Sequence, residues 1–236
     1  SGIGLSLADM MASTESWEVI SVSRNKEKIE RALKTHPHLE NKVSFLLADV
    51  SNPEDIERIV RLFEEDKRPL HALVNNAGVL VWGGIHHTTA DQWRQVMKVN
   101  LEGPFLITKA LLPALERAEG ASVVNISSIA ALQPGTSISY SAAKAGLDQF
   151  AESLLVESGS AGPQVVNCRL GDIRTGFNQQ VDRVDSGSAP EKLAWMRIEE
   201  AMTVAPEPDL VVKRLRRILV KGRSGSWNIG SPVQCF

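Results

Sequence analysis

The chain has 236 residues, 43% of them hydrophobic, and 26 basic side chains against 28 acidic ones leave a formal charge of -2. That length suits one α/β domain or two small ones, with enough apolar residues for a sizeable core. The balanced charge excludes partners that select a strongly charged surface, nucleic acid and anionic membrane among them, and no apolar run is long enough to span a bilayer.

Strand-like and helix-like runs alternate along the chain, which predicts parallel βαβ units. Residues Gly2 to Ala12 read as a helix start, and Glu18 to Val22 as a short strand. Lys26 to Leu33 reads as a helix that Pro37 ends. Val43 to Ala48 is a buried strand. Asp55 to Phe63 is an amphipathic helix with Ile56, Ile59, Val60 and Phe63 on one face. A strand from Leu70 to Val74 runs into Asn75-Asn76-Ala77-Gly78. Helices follow at Ala90 to Val99 and Gly103 to Leu115, then a strand from Ala121 to Ile126 that ends in Ser127-Ser128. Ser139 to Glu157 is a long helix rich in small residues, and Val165 to Cys168 is a strand. A polar stretch from Asp182 to Glu191 precedes a helix near Ala194 to Met202. Pro206 to Val220 and Trp227 to Ile229 supply a last helix and strand. No linker divides the chain, so residues 1–236 are expected to form a single doubly wound domain.

One strand is missing from this pattern. A dinucleotide-binding fold opens with a strand that feeds a glycine-rich turn, and this sequence opens inside the turn, with Gly2 and Gly4 spaced as its last two glycines. That strand normally lies mid-sheet. Each buried backbone group left unpaired costs roughly 1–3 kcal/mol, so losing a central strand outweighs a typical net stability of about 5–15 kcal/mol. Roughly ten further residues upstream, one strand and the start of the turn, are expected.

Five signals are in order along the chain: Ser1-Gly2-Ile3-Gly4, Asn75-Asn76-Ala77-Gly78, Asn100, Ser127-Ser128, and Tyr140-Ser141-Ala142-Ala143-Lys144. Each alone is weak, but together they resemble the short-chain dehydrogenase/reductase family, in its ordinary single-domain branch. The resemblance implies a Rossmann-type parallel sheet lacking its first strand here. It also implies an oxidoreductase that moves a hydride between a nicotinamide cofactor and a carbonyl or alcohol. Residues 176–205 correspond to the family's substrate lid.

The resemblance also distributes roles. The helix starting at Gly2, Ile3 and Gly4 would offer N–H groups to a pyrophosphate. At the end of the second strand the chain has Ser23-Arg24-Asn25 where an acidic residue would select NAD. Arg24 can fork onto a 2′-phosphate, with Ser23 and Asn25 adding hydrogen bonds, so NADP(H) is the expected cofactor. A solvated Arg24 at a helix start is the bland alternative. Asp49 and Val50 would meet the adenine, and Asn75, Ala77 and Gly78 would back the adenine and its ribose. A second role for Asn75 is to tie strands together. Leu170-Gly171 stands where relatives have Pro-Gly. Gly171, Ile173 and Thr175 would hold the nicotinamide carboxamide.

The catalytic expectation has a physical basis. Tyr140 and Lys144 share a helix face at i and i+4, so the lysine cation favours the phenolate of a group whose free pKa is about 10. Tyr140 can then exchange a proton with a substrate oxygen that a strand-end serine also holds. Asn100 resembles the residue that completes a proton relay through water. Alignment on Asn-Ile-Ser-Ser selects Ser128 as the catalytic serine, whereas counting back from Tyr140 selects Ser127. The strand end fixes position better than a loop count does, so Ser128 is preferred.

Other features carry less. Cys168 and Cys235 form no metal or redox motif and are expected to be free thiols in a cytoplasmic setting. No metal is expected, since His36 and His38 lack a third ligand. His86 and His87 stand in a loop that could meet substrate. Lys213, Arg214, Arg216, Arg217 and Lys221 read as a solvated helix face. Leu193, Trp195, Met196 and Ile198 could line an apolar pocket. Relatives often form homodimers or homotetramers, and Ala142, Ala143, Ala145 and Gly146 would permit close helix approach. The competing reading is a catalytically silent NADP(H)-binding scaffold or sensor. The intact Asn100, Ser128, Tyr140 and Lys144 set favours an enzyme, expected to be a carbonyl reductase.

Overall fold

The computed structural model describes residues 2–14, 17–133, 135, 137–178, 181–183 and 189–230, with side chains from residue 192 onward in the helix that begins at 189. Cys235 and most of the polar stretch after Arg183 therefore lie outside the described residues.

Helix α1 (Gly2–Ala12) leads into β1 (Val19–Ser23), α2 (Lys26–Thr35), β2 (Val43–Leu47), α3 (Pro53–Glu64) and β3 (Ala72–Asn75). Then come β4 (Val81–Trp82), α4 (Ala90–Met97), α5 (Gly103–Glu116), β5 (Ser122–Ser128), α6 (Ile138–Ser158), β6 (Gln164–Leu170), β7 (Asp182–Arg183), α7 (Ala189–Val204), α8 (Pro208–Val220) and β8 (Gly225–Ile229). Helix starts follow their local chemistry. Asn25 and Asn52 cap α2 and α3 by accepting from Lys28 N and Glu54 N. Thr89 and Gln92 close a capping box at α4.

Every ladder is parallel. The principal sheet has the order β3-β5-β6-β8, and β1-β2 form a separate pair. Strand β5 shows how the layers are wound. Val124 and Ile126 face α8, packing with Val211, Leu215 and Ile218. Val123 faces α5 and α6, against Leu115, Ala151 and Leu154. This alternation is the period of two that a strand covered on both faces must have, and it bears out the α/β doubly wound arrangement.

No ladder joins β1 to β3 among the described residues. The sheet is interrupted where the sequence led one to expect a mid-sheet strand to be missing. Both halves are still held by shared helices. Ile20, Val22 and Leu46 from the β1-β2 pair and Leu73 from β3 pack on the same α3–α5 layer, with Ile56, Ile59, Ile107 and Leu111. Ile20, Val22, Leu73 and Val74 stay only half-buried at the break.

Three details differ from expectation. Helices α4 and α5 are continuous through a π-turn at Lys98–Glu102, rather than two separate helices, because the backbone stays helical from Met97 through Gly103. A short pairing of β4 with β7 joins the loop after β3 to the polar stretch. Helix α7 starts at Ala189, ahead of the Ala194 expected. No helix among the described residues is long and apolar enough to cross a membrane.

Candidate active site

In a parallel sheet, ligands bind beyond the carboxyl ends of the strands, where helix N-termini converge. One cavity of about 1200 Å³ lies at those ends here, and it continues into the break between β1 and β3. It gathers residues from seven separate segments: Gly2, Ile3 and Gly4; Ser23 and Arg24; Asp49 and Val50; Asn75, Ala77 and Gly78; Ser128; Tyr140 and Lys144; Gly171, Ile173 and Thr175. Asn25 and Asn100, both expected to serve the site directly, do not line it.

The glycines are there for close approach. A Cβ on Gly4 would lie 2.6 Å from Asn76 Nδ2, so α1 can sit against the β3 loop only without a side chain at that position. Gly2 enters α1 at a φ of +57°, in the left-handed region that glycine tolerates. A Cβ on Gly78 would meet Asn100 Oδ1 at 3.0 Å.

At the end of β1, Asn25 turns its side-chain oxygen to Lys28 N as the cap of α2, which explains its absence from the cavity. Arg24 is exposed and pairs loosely with Asp49, at 3.7 Å. Burial pushes the Asp49 carboxyl up, but the Ser51 hydrogen bonds and the charges of Arg24 and Lys98 outweigh it and hold the group below its usual range. Asn75 has two structural partners for its buried side chain: Nδ2 donates to Thr108 Oγ1 at 3.0 Å and to Asn125 Oδ1 at 2.8 Å. Its side chain thus ties β3 to β5 and α5.

Asn100 is fully buried on the π-turn. Its Nδ2 donates to Val79 O and Val96 O, and its Oδ1 accepts from Val79 N. The extra residue of a π-turn frees a helical carbonyl such as that of Val96 from its usual partner. Both donors of the Asn100 amide are engaged in holding the loop after β3.

The two serines at the end of β5 point to opposite faces, as adjacent strand residues must. Ser127 is 3% exposed and donates to Asp148 Oδ1. Ser128 is on the cavity side, where its side chain hydrogen-bonds Tyr140 and also accepts from Ala130 N at 3.1 Å. Lys144 is 4% exposed, and its Nζ donates to Ile126 O at 2.7 Å and lies 5.6 Å from the centre of the Tyr140 ring. Burial pulls its pKa down to about 8, against the attraction of Asp148. Burial likewise pushes Tyr140 up to about 12, opposed only by the Ser128 hydrogen bond. Desolvation thus favours the phenol form of Tyr140.

Phe177 packs 6.1 Å from the Tyr140 ring. Trp82, Gln133, Ser137 and Met202, which sequence reasoning left out, line the cavity, as does Ile198, which it named. Trp195 is inward but packs edge-on against Trp82 at 5.0 Å. Leu193 and Met196, proposed for the pocket, are instead exposed. Helical period separates them: Trp195, Ile198 and Met202 share a face of α7 and the other two do not. His86 and His87 lie on an exposed turn away from the cavity. His38 bonds Asp9 at 2.7 Å, and no cluster fit to hold a metal occurs among the described residues. Cys168 is buried, which pushes its thiol up to about 12. The basic residues of α8 all face outward.

The short chain dehydrogenase family profile matches residues 1–185. Human dehydrogenase/reductase SDR family member 4 is 30% identical over 203 residues, covering 84% of this chain and 73% of the relative. Among solved structures, a short-chain dehydrogenase from Streptomyces avermitilis superposes with a TM-score of 0.83 at 23% identity, over 99% of this chain and 85% of that one. The closed form of serine dehydrogenase complexed with NADP+ gives 0.82 at 21% identity, over 100% and 93%.

Proposed function

Because this chain belongs to the short-chain dehydrogenase family, and is thereby an oxidoreductase working between alcohols and carbonyls, we propose that it is an NADP(H)-dependent carbonyl reductase. The observation that carries this reading is one cavity lined by Ser128, Tyr140 and Lys144, with Lys144 Nζ 5.6 Å from the centre of the phenol ring. Reduction of a carbonyl needs a proton for the developing alkoxide, and a phenol at neutral pH supplies it. Ser128 donates a hydrogen bond to the same oxygen, and the Lys144 cation lowers the cost of the phenolate left behind.

The residues present fit a dinucleotide. The cavity reaches the N-terminus of α1, where Gly2, Ile3 and Gly4 line it and would face a pyrophosphate. Ser23 and Arg24 would hold a 2′-phosphate, Arg24 leaving its exposed pairing with Asp49, which at such exposure is worth little. Asp49 and Val50 would meet the adenine, and Asn75, Ala77 and Gly78 would back its ribose. Ile173 and Thr175 would hold the carboxamide, with Gly171 giving the close turn. Tyr140 and Lys144 would also bind the nicotinamide ribose. When bound, the nicotinamide supplies the hydride. Asn100 keeps the loop after β3 in place, and a relay to solvent through it rests on family resemblance. Residues 176–205 bring Phe177, Ile198 and Met202 to the substrate end and would act as its lid. We place the protein in the cytoplasm as a homodimer or homotetramer. Phe105 on α5 and Val156 on α6 are exposed and available to a second copy.

NADPH oxidation screened across ketone classes, with Tyr140→Phe as control, tests the proposal. Turnover should fall by about 10²–10⁴ in the variant. Equal inactivity of the two proteins with NADPH still bound would mark a silent scaffold.

A further inference from the structure

The helix that presents Tyr140 and Lys144 carries a further acid on the same face. Asp148 lies one turn beyond Lys144 and two beyond Tyr140, and it is 7% exposed. A carboxyl group so buried needs hydrogen-bond partners, and this one has them on both oxygens. Its Oδ1 accepts from Ser127 Oγ on β5 and from Asn167 Nδ2 on β6, the latter at 2.9 Å. Its Oδ2 accepts from Arg169 Nε on β6, and Arg169 reaches on to Glu152 at 3.7 Å. The same strand is gripped twice, since Lys144 Nζ holds Ile126 O and Asp148 holds the next residue, Ser127.

We propose that Asp148 is a positioning residue for Lys144: through Ser127 and Asn167 it locks the Lys144 turn of α6 onto β5 and β6 and sets a carboxyl group one helical turn from the lysine. This rests on the role given to Lys144 above. Asp148 itself touches neither substrate nor cofactor.

The charged and titratable groups facing the pair support the assignment. On α6 they are Tyr140, Asp148 and Glu152. Strand β5 brings the Ile126 carbonyl and the Ser128 hydroxyl, β6 brings Arg169, and the segment after β6 brings Asp172 into the same cavity. The π-turn offers Asn100, already bound to backbone. Asp148 is the acid that electrostatics couples to Lys144, and Arg169 tempers it from the far side.

The test reads Lys144 directly, without substrate. Lysine labelled with 13C at Cε is titrated by NMR in the whole chain, and the Lys144 signal is assigned by its loss in Lys144→Met. Wild type should titrate near pH 8. Asp148→Asn should lower the midpoint by about one pH unit, and Asp148→Glu should restore most of it. Arg169→Gln should raise the midpoint, since the acid is then untempered. A structural role alone predicts no such opposition of sign. An unchanged or raised midpoint in Asp148→Asn overturns the proposal. If that variant does not fold, Arg169→Gln decides: a rise supports the proposal, and no rise overturns it. If Lys144 behaves as expected here but no ketone is reduced, the positioning role stands and the reductase reading falls.

Discussion

Replacing Lys144 by Met should abolish turnover and yet raise the melting temperature at neutral pH. Burial takes the Lys144 pKa from 10.5 to about 8. The folded protein therefore binds fewer protons at this residue than the unfolded chain does between those two values. Stability then rises with pH from about 8 to about 10.5, and below pH 8 the whole penalty is present. A shift of about 2.5 units at about 1.4 kcal/mol each corresponds to roughly 3 kcal/mol. Methionine has nearly the same shape but leaves Ile126 O without the partner it has at 2.7 Å, which costs about 1–2 kcal/mol. The net gain at pH 7 is then about 1–2 kcal/mol, or a Tm increase of about 2–8 °C at this chain length. At pH 9.5 the gain should have shrunk to near zero. Tyr140 and Cys168, whose pKa values are both raised to about 12, lower stability as pH rises above about 9. They do so in both proteins and cancel in the difference. Paired thermal melts of wild type and Lys144→Met at pH 7 and 9.5 measure it. A variant less stable at pH 7, or a difference that does not change with pH, would refute a buried, destabilising ammonium.

Ser128→Ala should reduce turnover by about 10²–10³ while leaving the fold intact. Ser127→Ala should instead cost roughly 1–3 kcal/mol in a denaturant melt, because a buried carboxylate loses a donor. Reversal of these two outcomes would exchange their roles. Arg24→Asp should weaken NADPH by about 10–100-fold and NADH far less, measured by fluorescence titration. Equal losses would leave Arg24 as a solvated cation. Gly4→Ala sets a Cβ against Asn76 at 2.6 Å. It should destabilise by about 1–3 kcal/mol, and a melt within error of wild type would mean that Asn76 can move aside.

What was legible in the sequence was local. Tyr140 and Lys144 could be paired because four residues make one helical turn, and Gly2 and Gly4 because a turn lies next to a helix start. Ser128 could be preferred over Ser127 because a strand end fixes which face each presents. Asp148 was not legible, since Ser127, Asn167 and Arg169 come from two strands distant in sequence. A charged residue one turn past Lys144 on the same helix face was the only signal. Asn25 misled because a side chain able to bond a ligand can equally cap the helix it precedes. How strongly desolvation opposes the cations that favour a Tyr140 phenolate depends on burial, which no spacing reveals. The pairing of β4 with β7 is two residues long, too short for any periodicity to register.

The break between β1 and β3 has a colloidal consequence. Among the described residues the facing edges of β1 and β3 are unpaired, with half-buried Ile20, Val22, Leu73 and Val74 beside them, and such edges can pair with another extended chain. Ser23 and Asn75 stand at the ends of those same strands, so the proposed nucleotide cleft and this seam share walls. A dinucleotide bound between the ends would draw the edges into one body and oppose opening of the seam. Shelf life in concentrated solution should therefore depend on dissolved cofactor as much as on temperature.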